Sequence, residues 1–502
     1  MSQVLFGQSY FLYFDPKLWQ AMQPHPPLGT LYAASYLRQQ GYDVALFDAM
    51  LAKSEDEWAQ ALEEHKPRFA VLYEDNFNYL SKMCLARMRL AAHTMIAMAK
   101  QAGCTVILCG ADASDHAESY LRRGADYVLL GEGEETLLEL LDRLAGQSDV
   151  ELSGIRGLAY LDGGTCRLNP RRPDIRDLDS LPFPAWDLVD IPRYRAAWLE
   201  KHGYFSMNMV TTRGCPFHCN WCAKPIWGQR YNSRSPENVV AEMKWLRDEY
   251  APDQITFADD IFGLKPGWLK RFGEYASEQG VRIPFKCLSR VDLLARPGEV
   301  EGLQKAGAAV VWVGAESGSQ KILDAMDKGT RVEQIFEAAR LLRSTGIKVG
   351  FFLQFGYPGE TRTDIEKTLQ MVRDCSPDDI GISVSYPMPG TKFFEAVQNQ
   401  LGSKQNWQDS SDLAMLYQGP YSTAFYRKLH RVVHLEFRSR KAWQELRRQF
   451  NLRQAARLVY HLVALPLERL QLNRLARQTN PDLAVPHLSH EQAASPTPQE
   501  PV

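Results

Sequence analysis

Two stretches of the chain repeat one pattern, a short apolar run followed by a helical period, and few architectures accommodate it. A strand that returns through a helix comes back parallel to its predecessor, so such repeats build parallel sheets covered by helices. In the first stretch, from Val4 to about Leu144, strand-like runs fall at 4–6, 44–47, 69–73, 105–108 and 127–130. Helical periods fill the gaps at 28–40, 56–65, 83–102, 115–122 and 135–144, and Gly41, Gly103 and Gly124 mark turns. That order predicts an open, doubly wound α/β sheet, whose ligands bind beyond the carboxyl ends of the strands. The loops in that position are 24–29, 74–78, 110–114 and 131–134.

The second stretch runs from Met207 to about Tyr386. Six strands are expected at 207–212, 254–257, 283–288, 309–313, 347–353 and 380–385, with helices at 236–248, 266–279, 297–305, 332–344 and 363–374. This repeat fits a barrel or partial barrel with its chemistry at the strands' carboxyl ends, or a second open sheet; periodicity does not separate the two. Between the stretches, apolar runs at 157–161 and 165–168 flank Asp162-Gly163-Gly164, a hairpin signal. The proline- and charge-rich segment that follows reads as an extended linker.

Composition narrows the function classes. A formal net charge of -2 with 45% hydrophobic and 24% charged residues excludes collagen-like, wholly disordered and strongly basic chains, and gives no reason to expect nucleic acid. The average conceals a basic end: residues 427–477 hold 13 Lys/Arg against three Glu. There an apolar stripe flanked by arginines fits either a helical cap on the barrel with a solvated face, the preferred reading, or a helix lying in an anionic membrane surface. Residues 478–502, rich in Pro, Gln and Ser, are expected to be disordered. With no secretory leader pattern and no apolar run long enough to span a bilayer, a cytoplasmic protein is expected, peripheral to the inner membrane face if the membrane reading holds.

The sharpest chemical signal follows the first strand of the second stretch: TTRGCPFHCNWCAKP. Cys215, Cys219 and Cys222, spaced C-x3-C-x2-C, put three thiolates on one glycine-proline loop. Three ligands suit an iron–sulfur cluster with one iron left open. Zinc competes, but its structural sites take four ligands and no partner C-x2-C follows. The other cysteines, at 84, 104, 109, 166, 287 and 375, lack ligand spacing and read as small buried residues.

With the aromatic Trp221 before the last cysteine, this loop resembles the hallmark of the radical S-adenosylmethionine (SAM) superfamily. The resemblance implies a four-iron, four-sulfur (4Fe-4S) cluster on the three cysteines, SAM chelated to the fourth iron, and a 5′-deoxyadenosyl radical that abstracts hydrogen from unreactive carbon. Other segments fit it. Phe257-Ala258-Asp259-Asp260-Ile261-Phe262 follows the second strand; of its acids one would orient a loop and the other face the substrate. Gly314-Ala315-Glu316-Ser317-Gly318-Ser319 with the downstream Lys328-Gly329 would place Glu316 near SAM, accepting hydrogen bonds from ribose hydroxyls or the amino group. Ser289-Arg290 ends the third strand, where the guanidinium would pair with the SAM carboxylate. Gly356-Tyr357-Pro358-Gly359-Glu360-Thr361 and Pro387-Met388-Pro389-Gly390-Thr391 resemble family turns of largely structural role.

The first stretch resembles the cobalamin-binding domain that precedes the barrel in one branch of that superfamily. Pro26-Pro27-Leu28-Gly29, Gly110-Ala111-Asp112 and Gly131-Glu132-Gly133-Glu134 carry the resemblance, and Pro27, Leu28, Gly29, Gly110, Asp112, Gly131 and Glu132 are its expected cofactor contacts. The cobalt-ligating motif D-x-H-x-x-G is absent, and His25 reads as a loop histidine. The implied fold is a flavodoxin-like doubly wound cobalamin-binding sheet, a partial (β/α)6 radical SAM barrel and an α-helical C-terminal region. Boundaries are expected as 1–145, a linker with hairpin over 146–205, the radical core over 206–395, the basic helices over 396–477 and the tail over 478–502.

The implied enzyme is a cobalamin-dependent radical SAM methyltransferase acting on an unactivated carbon of a small-molecule or lipid-like intermediate, with a flavodoxin or ferredoxin as reductant. Cofactor contacts are expected from Trp221, Asp259, Ser289, Arg290 and Glu316; no catalytic residue is assigned. A cyclase or rearrangement enzyme of the same branch is the alternative, and a cluster- or cobalamin-binding sensor the non-enzyme alternative.

Overall fold

The computed structural model describes residues 3–222, 226–449 and 451–477; the expected disordered tail lies outside the described residues. The N-terminal sheet contains β1 (Val4–Gly7), β2 (Val44–Leu46), β3 (Phe69–Tyr73), β4 (Thr105–Cys109) and β5 (Tyr127–Leu129), all parallel in the order β2-β1-β3-β4-β5. This is the flavodoxin order, with its topological switch between β1 and β3. Alternate residues feed two cores: Leu5, Ala70, Leu72 and Val106 face one helical layer, Phe6, Phe69, Val71 and Ile107 the other. Burial on both faces is why these strands are continuously apolar.

Two expectations change here. The hairpin, β6 (Leu158–Asp162) and β7 (Thr165–Leu168), is no part of a linker: β6 pairs antiparallel with β5 and extends the first sheet. The long helix expected over 83–102 breaks at Cys84, which adopts a left-handed conformation (φ 49°) between helices Tyr79–Met83 and Ala86–Gln101.

The second sheet begins with β8 (Ser206–Met209). A short antiparallel pair, β9 (Thr212–Arg213) and β10 (Asn232–Ser233), brackets the cysteine loop. Then follow β11 (Gln254–Phe257), β12 (Phe285–Ser289), β13 (Ala308–Glu316), β14 (Lys348–Phe355) and β15 (Asp379–Val384). The order β15-β14-β13-β12-β11-β8 is parallel and runs one way, so every crossover helix falls on the same face. The one-way order separates it from a doubly wound open sheet, and β8 and β15 are not paired among the described residues, so this is a partial (β/α)6 barrel. Ile255, Phe257, Phe285, Val311, Val313 and Phe351 pack toward the helices, leaving the alternate side chains in the lumen.

Helices Thr423–Arg448 and Leu452–Ala476 close the described chain. Phe425, Leu429, Val432 and Val433 bury one face of the first in the main core. Glu436 bonds Arg373 of the barrel and Arg469 of the last helix, and Glu468 bonds Lys428 and Arg431. The two helices pack on the barrel as a cap, and the exposed outer face of the last one is apolar. Leu452, Val459, Val463, Leu467 and Leu470 are each at least 59% exposed along one face of the last helix. No described helix is long and apolar enough to cross a membrane.

Candidate active site between the barrel mouth and the first sheet

The cysteine loop is held from below by Asp259. Its Oδ1 accepts from the backbone N–H groups of Thr211 and Thr212 at 2.8 and 2.6 Å and from the Thr212 hydroxyl at 2.7 Å. Burial raises the carboxyl to about 6 against the pull of these donors. Asp259 therefore orients the loop through Oδ1, as expected of one acid of this pair, while its Oδ2 is buried with no partner among the described residues. Gly214 is required where the loop leaves β9: its φ is +84°, and a Cβ would lie 2.3 Å from the Arg230 carbonyl oxygen. Asn220 ties the far side down, donating to the Ala325 carbonyl at 2.8 Å and accepting from the Tyr357 hydroxyl at 2.9 Å.

Cys215 is buried, and Cys219 and Cys222 are half-buried. Among the described residues no trio of His, Cys, Asp or Glu is gathered tightly enough for one ion. That is unlike a compact zinc site, whereas a cubane takes each thiolate on a different iron. The donor set, three thiols on one loop, fits a four-iron cluster.

Around this loop the barrel strands end in charge. Arg290 stacks on Phe217, its guanidinium carbon 3.6 Å from the ring centroid, and holds Nη1 3.8 Å from Cys219 Sγ. Its other nitrogens reach Asp292 at 2.9 Å and the Lys328 carbonyl at 2.9 Å. Lys328 Nζ donates to Glu316 at 2.9 Å and lies 5.9 Å from the Trp221 ring centroid. Burial opposes the Lys328 charge, but Glu316 and then Cys219 outweigh it and hold the ammonium above its ordinary range. The Trp221 indole N–H is buried without a partner. Arg290, Lys328, Glu316 and Trp221 thus converge beside the cysteines. Ser289 does not: it shares the helix-facing side of β12 with Phe285 and Cys287.

Glu316 itself sits in the left-handed region (φ 55°) at a register shift between β13 and β14. A non-glycine residue there is held by its surroundings. Gly314 makes the ion pair possible, since a Cβ would come within 2.6 Å of both Glu316 Oε1 and Lys328 Nζ. The serines fasten the loop to helix Arg362–Cys375: Ser317 meets Thr368 at 3.1 Å and Ser319 donates to Asp364 at 2.6 Å.

On the other side, the carboxyl ends of β1 and β3 face the barrel across a cleft of ≈ 280 Å³ lined by Tyr10, His25, Asp75, Phe77, Asn208 and Thr256. Two buried polar atoms at this boundary lack partners among the described residues, His25 Nδ1 and Asn208 Oδ1. Unsatisfied donors and acceptors at the switch point suit a large cofactor fringed with amides, which is what cobalamin presents. His25 lies 5.3 Å from the Trp198 ring, and burial, then Lys286, push it down to about 3, so it is neutral.

The expected cobalamin contacts separate into two groups. Pro27, Leu28 and Gly29 start the first long helix, and the Gly29 N–H donates to Asp75 at 3.1 Å, fixing the cleft wall from behind. Gly110 packs against the Glu74 side chain and Gly131 leaves room for Arg171. Asp112 is instead engaged by Arg89 and by the Tyr120 hydroxyl at 2.5 Å. Glu132 pairs with Arg213 at 3.0 Å and accepts from the Ile175 N–H. Both acids are engaged by protein donors. The sequence reading missed Arg213, as well as Lys82, whose ammonium reaches Asp260 at 2.7 Å across the same boundary. Asp75 was visible only as part of an inspected loop.

Over residues 209–372 the chain matches the Radical SAM superfamily, and over residues 20–141 the B12 binding domain. An uncharacterized methyltransferase of Pyrococcus horikoshii is 30% identical over 393 residues, covering 76% of this chain and 81% of that protein. The anaerobic magnesium-protoporphyrin IX monomethyl ester cyclase of Cereibacter sphaeroides is 28% identical over 75% of this chain but only 61% of its own length. The hopanoid C-3 methylase of Methylococcus capsulatus is 26% identical, covering 84% of this chain and 78% of that one. Among solved structures, the cobalamin-dependent S-adenosylmethionine radical enzyme OxsB, with aqua-cobalamin and S-adenosylmethionine bound, superposes with a TM-score of 0.69 at 18% identity, over 94% of this chain and 72% of that one.

Proposed function

The chain belongs to the radical SAM superfamily, in the branch with a B12-binding domain ahead of the barrel, and from that premise we propose that it methylates an unactivated carbon of a small-molecule or lipid-like intermediate. The observation that carries the proposal is the facing of two sites: the switch point of the first sheet and the cysteine loop are locked across one boundary by Arg213–Glu134 and Lys82–Asp260. With the cofactors bound, the cluster and SAM supply a 5′-deoxyadenosyl radical and cobalamin supplies the methyl group. Cys215, Cys219 and Cys222 would hold the cluster, and Trp221, Arg290 and Glu316 would bind and orient SAM. A flavodoxin or ferredoxin is the proposed electron donor.

The cyclase relative favours a second reading, ring closure without net methyl transfer. Anaerobic reconstitution with iron, sulfide, hydroxocobalamin, SAM and reductant tests both. Formation of 5′-deoxyadenosine is expected, and its absence with a full cluster would leave only a sensor. A substrate in cell extract that grows by one CH2 unit marks methylation; loss of two hydrogens or an isobaric product marks the second reading.

The exposed apolar face of helix Leu452–Ala476, bordered by Arg453, Arg457 and Arg469, supports peripheral contact with an anionic lipid surface.

A further inference from the structure

Lys286 stands in the middle of the barrel sheet, in register with Thr256 of β11 and Val310 of β13, on the lumen side of β12. Its ammonium makes no hydrogen bond or ion pair among the described residues. Burial lowers its pKa, with only Asp379 opposing. A partly desolvated ammonium with no ion-pair partner in contact among the described residues, and only the more distant Asp379 as counter-charge, is an unusual thing to keep inside a barrel.

One pleat farther along the same face lies Trp312, whose ring stacks on Phe352 with centroids 4.7 Å apart and planes 29° apart. Phe352 is 39% exposed although it lies on β14, an inner strand of the sheet. The backbone makes room for the pair. A Cβ on Gly350 would fall 2.4 Å from the Trp312 ring, and one on Gly381 would fall 3.1 Å from Phe352. Two large rings therefore lie against glycine backbone with their surface turned to the open lumen. Trp312, Gly314 and Glu316 share a face of β13, so this platform is about 13 Å down the strand from Glu316.

We propose that the lumen takes its substrate as an organic anion with a flat or cyclic apolar body, the body on the Trp312–Phe352 platform and the anionic group on Lys286. The assignment rests on reading the barrel as the reaction chamber of a radical SAM enzyme. Stacking of an apolar ring on the platform supplies most of the contact area, and the charge fixes which end faces Lys286.

The test is binding of naphthalene-2-acetate and the nearly isosteric neutral naphthalene-2-acetamide to the reconstituted full-length protein, by anaerobic equilibrium dialysis. The acetate is expected to bind about tenfold tighter, the usual return of one charge-assisted contact. Lys286→Met should abolish that preference while leaving the acetamide affinity in place, Lys286→Arg should keep it, and Phe352→Ala should weaken both probes. Cluster iron and melting temperature show whether each variant is folded. Equal binding of the two probes to the wild-type chain, or a preference that survives Lys286→Met, would overturn the assignment. Measuring 5′-deoxyadenosine on the same preparations separates the two claims. Its formation without a charge preference sinks the lumen site alone, and a charge preference without it sinks the radical reading.

Discussion

Arg213 and Glu134 form a buried ion pair across the boundary between the two α/β units, with Nη2 2.6 Å from Oε1. Arg213 immediately precedes Gly214 and the cysteine loop, and its second nitrogen bonds Glu132 at 3.0 Å. One guanidinium thus couples the GEGE turn of the first sheet to the cluster-bearing loop.

Removing that guanidinium strands two carboxylates among apolar and aromatic neighbours. Arg213→Met is expected to destabilise the protein by about 3–5 kcal/mol, the range for breaking a buried pair from one side. Differential scanning calorimetry at neutral pH reads the loss. Adding Glu132→Gln and Glu134→Gln to that variant should recover much of it; an Arg213→Met protein that melts with the wild type would show that the boundary is held elsewhere.

Glu316 is the acid best placed to meet SAM. Glu316→Gln keeps the shape at this left-handed position but removes the charge that Lys328 pairs with. Formation of 5′-deoxyadenosine should fall roughly ten- to hundredfold, as expected for one lost charged hydrogen bond, with cluster iron unchanged. Retention of full cleavage activity would remove Glu316 from the SAM site.

Glu360, in the turn after β14, accepts from the Gly356 N–H, and its other oxygen is buried without a partner. Burial raises its pKa to about 8. A raised carboxyl means that the folded state binds a proton the unfolded chain releases, so this stabilisation is complete below the unfolded value near 4.5 and is lost as pH rises through 8. Glu360→Gln imitates the protonated form. Its melting temperature, compared with that of the wild type at pH 5.5 and 8.5, should gain on the wild type at the higher pH. A gap that does not change with pH would contradict the raised value.

The last helix offers a separate test. Sedimentation with phosphatidylserine-containing vesicles is expected at low salt and should weaken as salt rises. Val463→Glu with Leu467→Glu should release the protein from the vesicles without lowering its melting temperature, since both side chains are already exposed. Binding that is indifferent to both changes would assign that face to something other than lipid.

Much of the fold was legible in the residues because β1 to β5 of the first sheet and all six strands of the second are parallel. Parallel strands are buried on their faces and read as unbroken apolar runs, and their crossovers must be helices; helix Asp56–His65 and helix Val332–Ser344 fall where periodicity puts them. The hairpin's partner was not legible, because two short strands carry no mark of which edge they will join. Cys84 hid the helix break for a similar reason, since nothing in its side chain announces a left-handed backbone.

The candidate site divides along the same line. Sequence by itself determined the cysteine loop, because three thiols within one loop need no distant partner, and it brought Glu316 and Arg290 to strand ends by counting residues along each repeat. Only the tertiary structure decided what the acids do. Asp259, Asp112 and Glu132 sit in motifs that pointed to cofactors, and the fold brings the donors Thr212, Arg89 and Arg213 to them. A carboxylate's role depends on which donor reaches it first, and those donors arrive from segments far away in sequence. Lys286 is the converse case. It is one lysine in an alternating strand until the barrel turns it inward, where no described residue forms an ion pair with it.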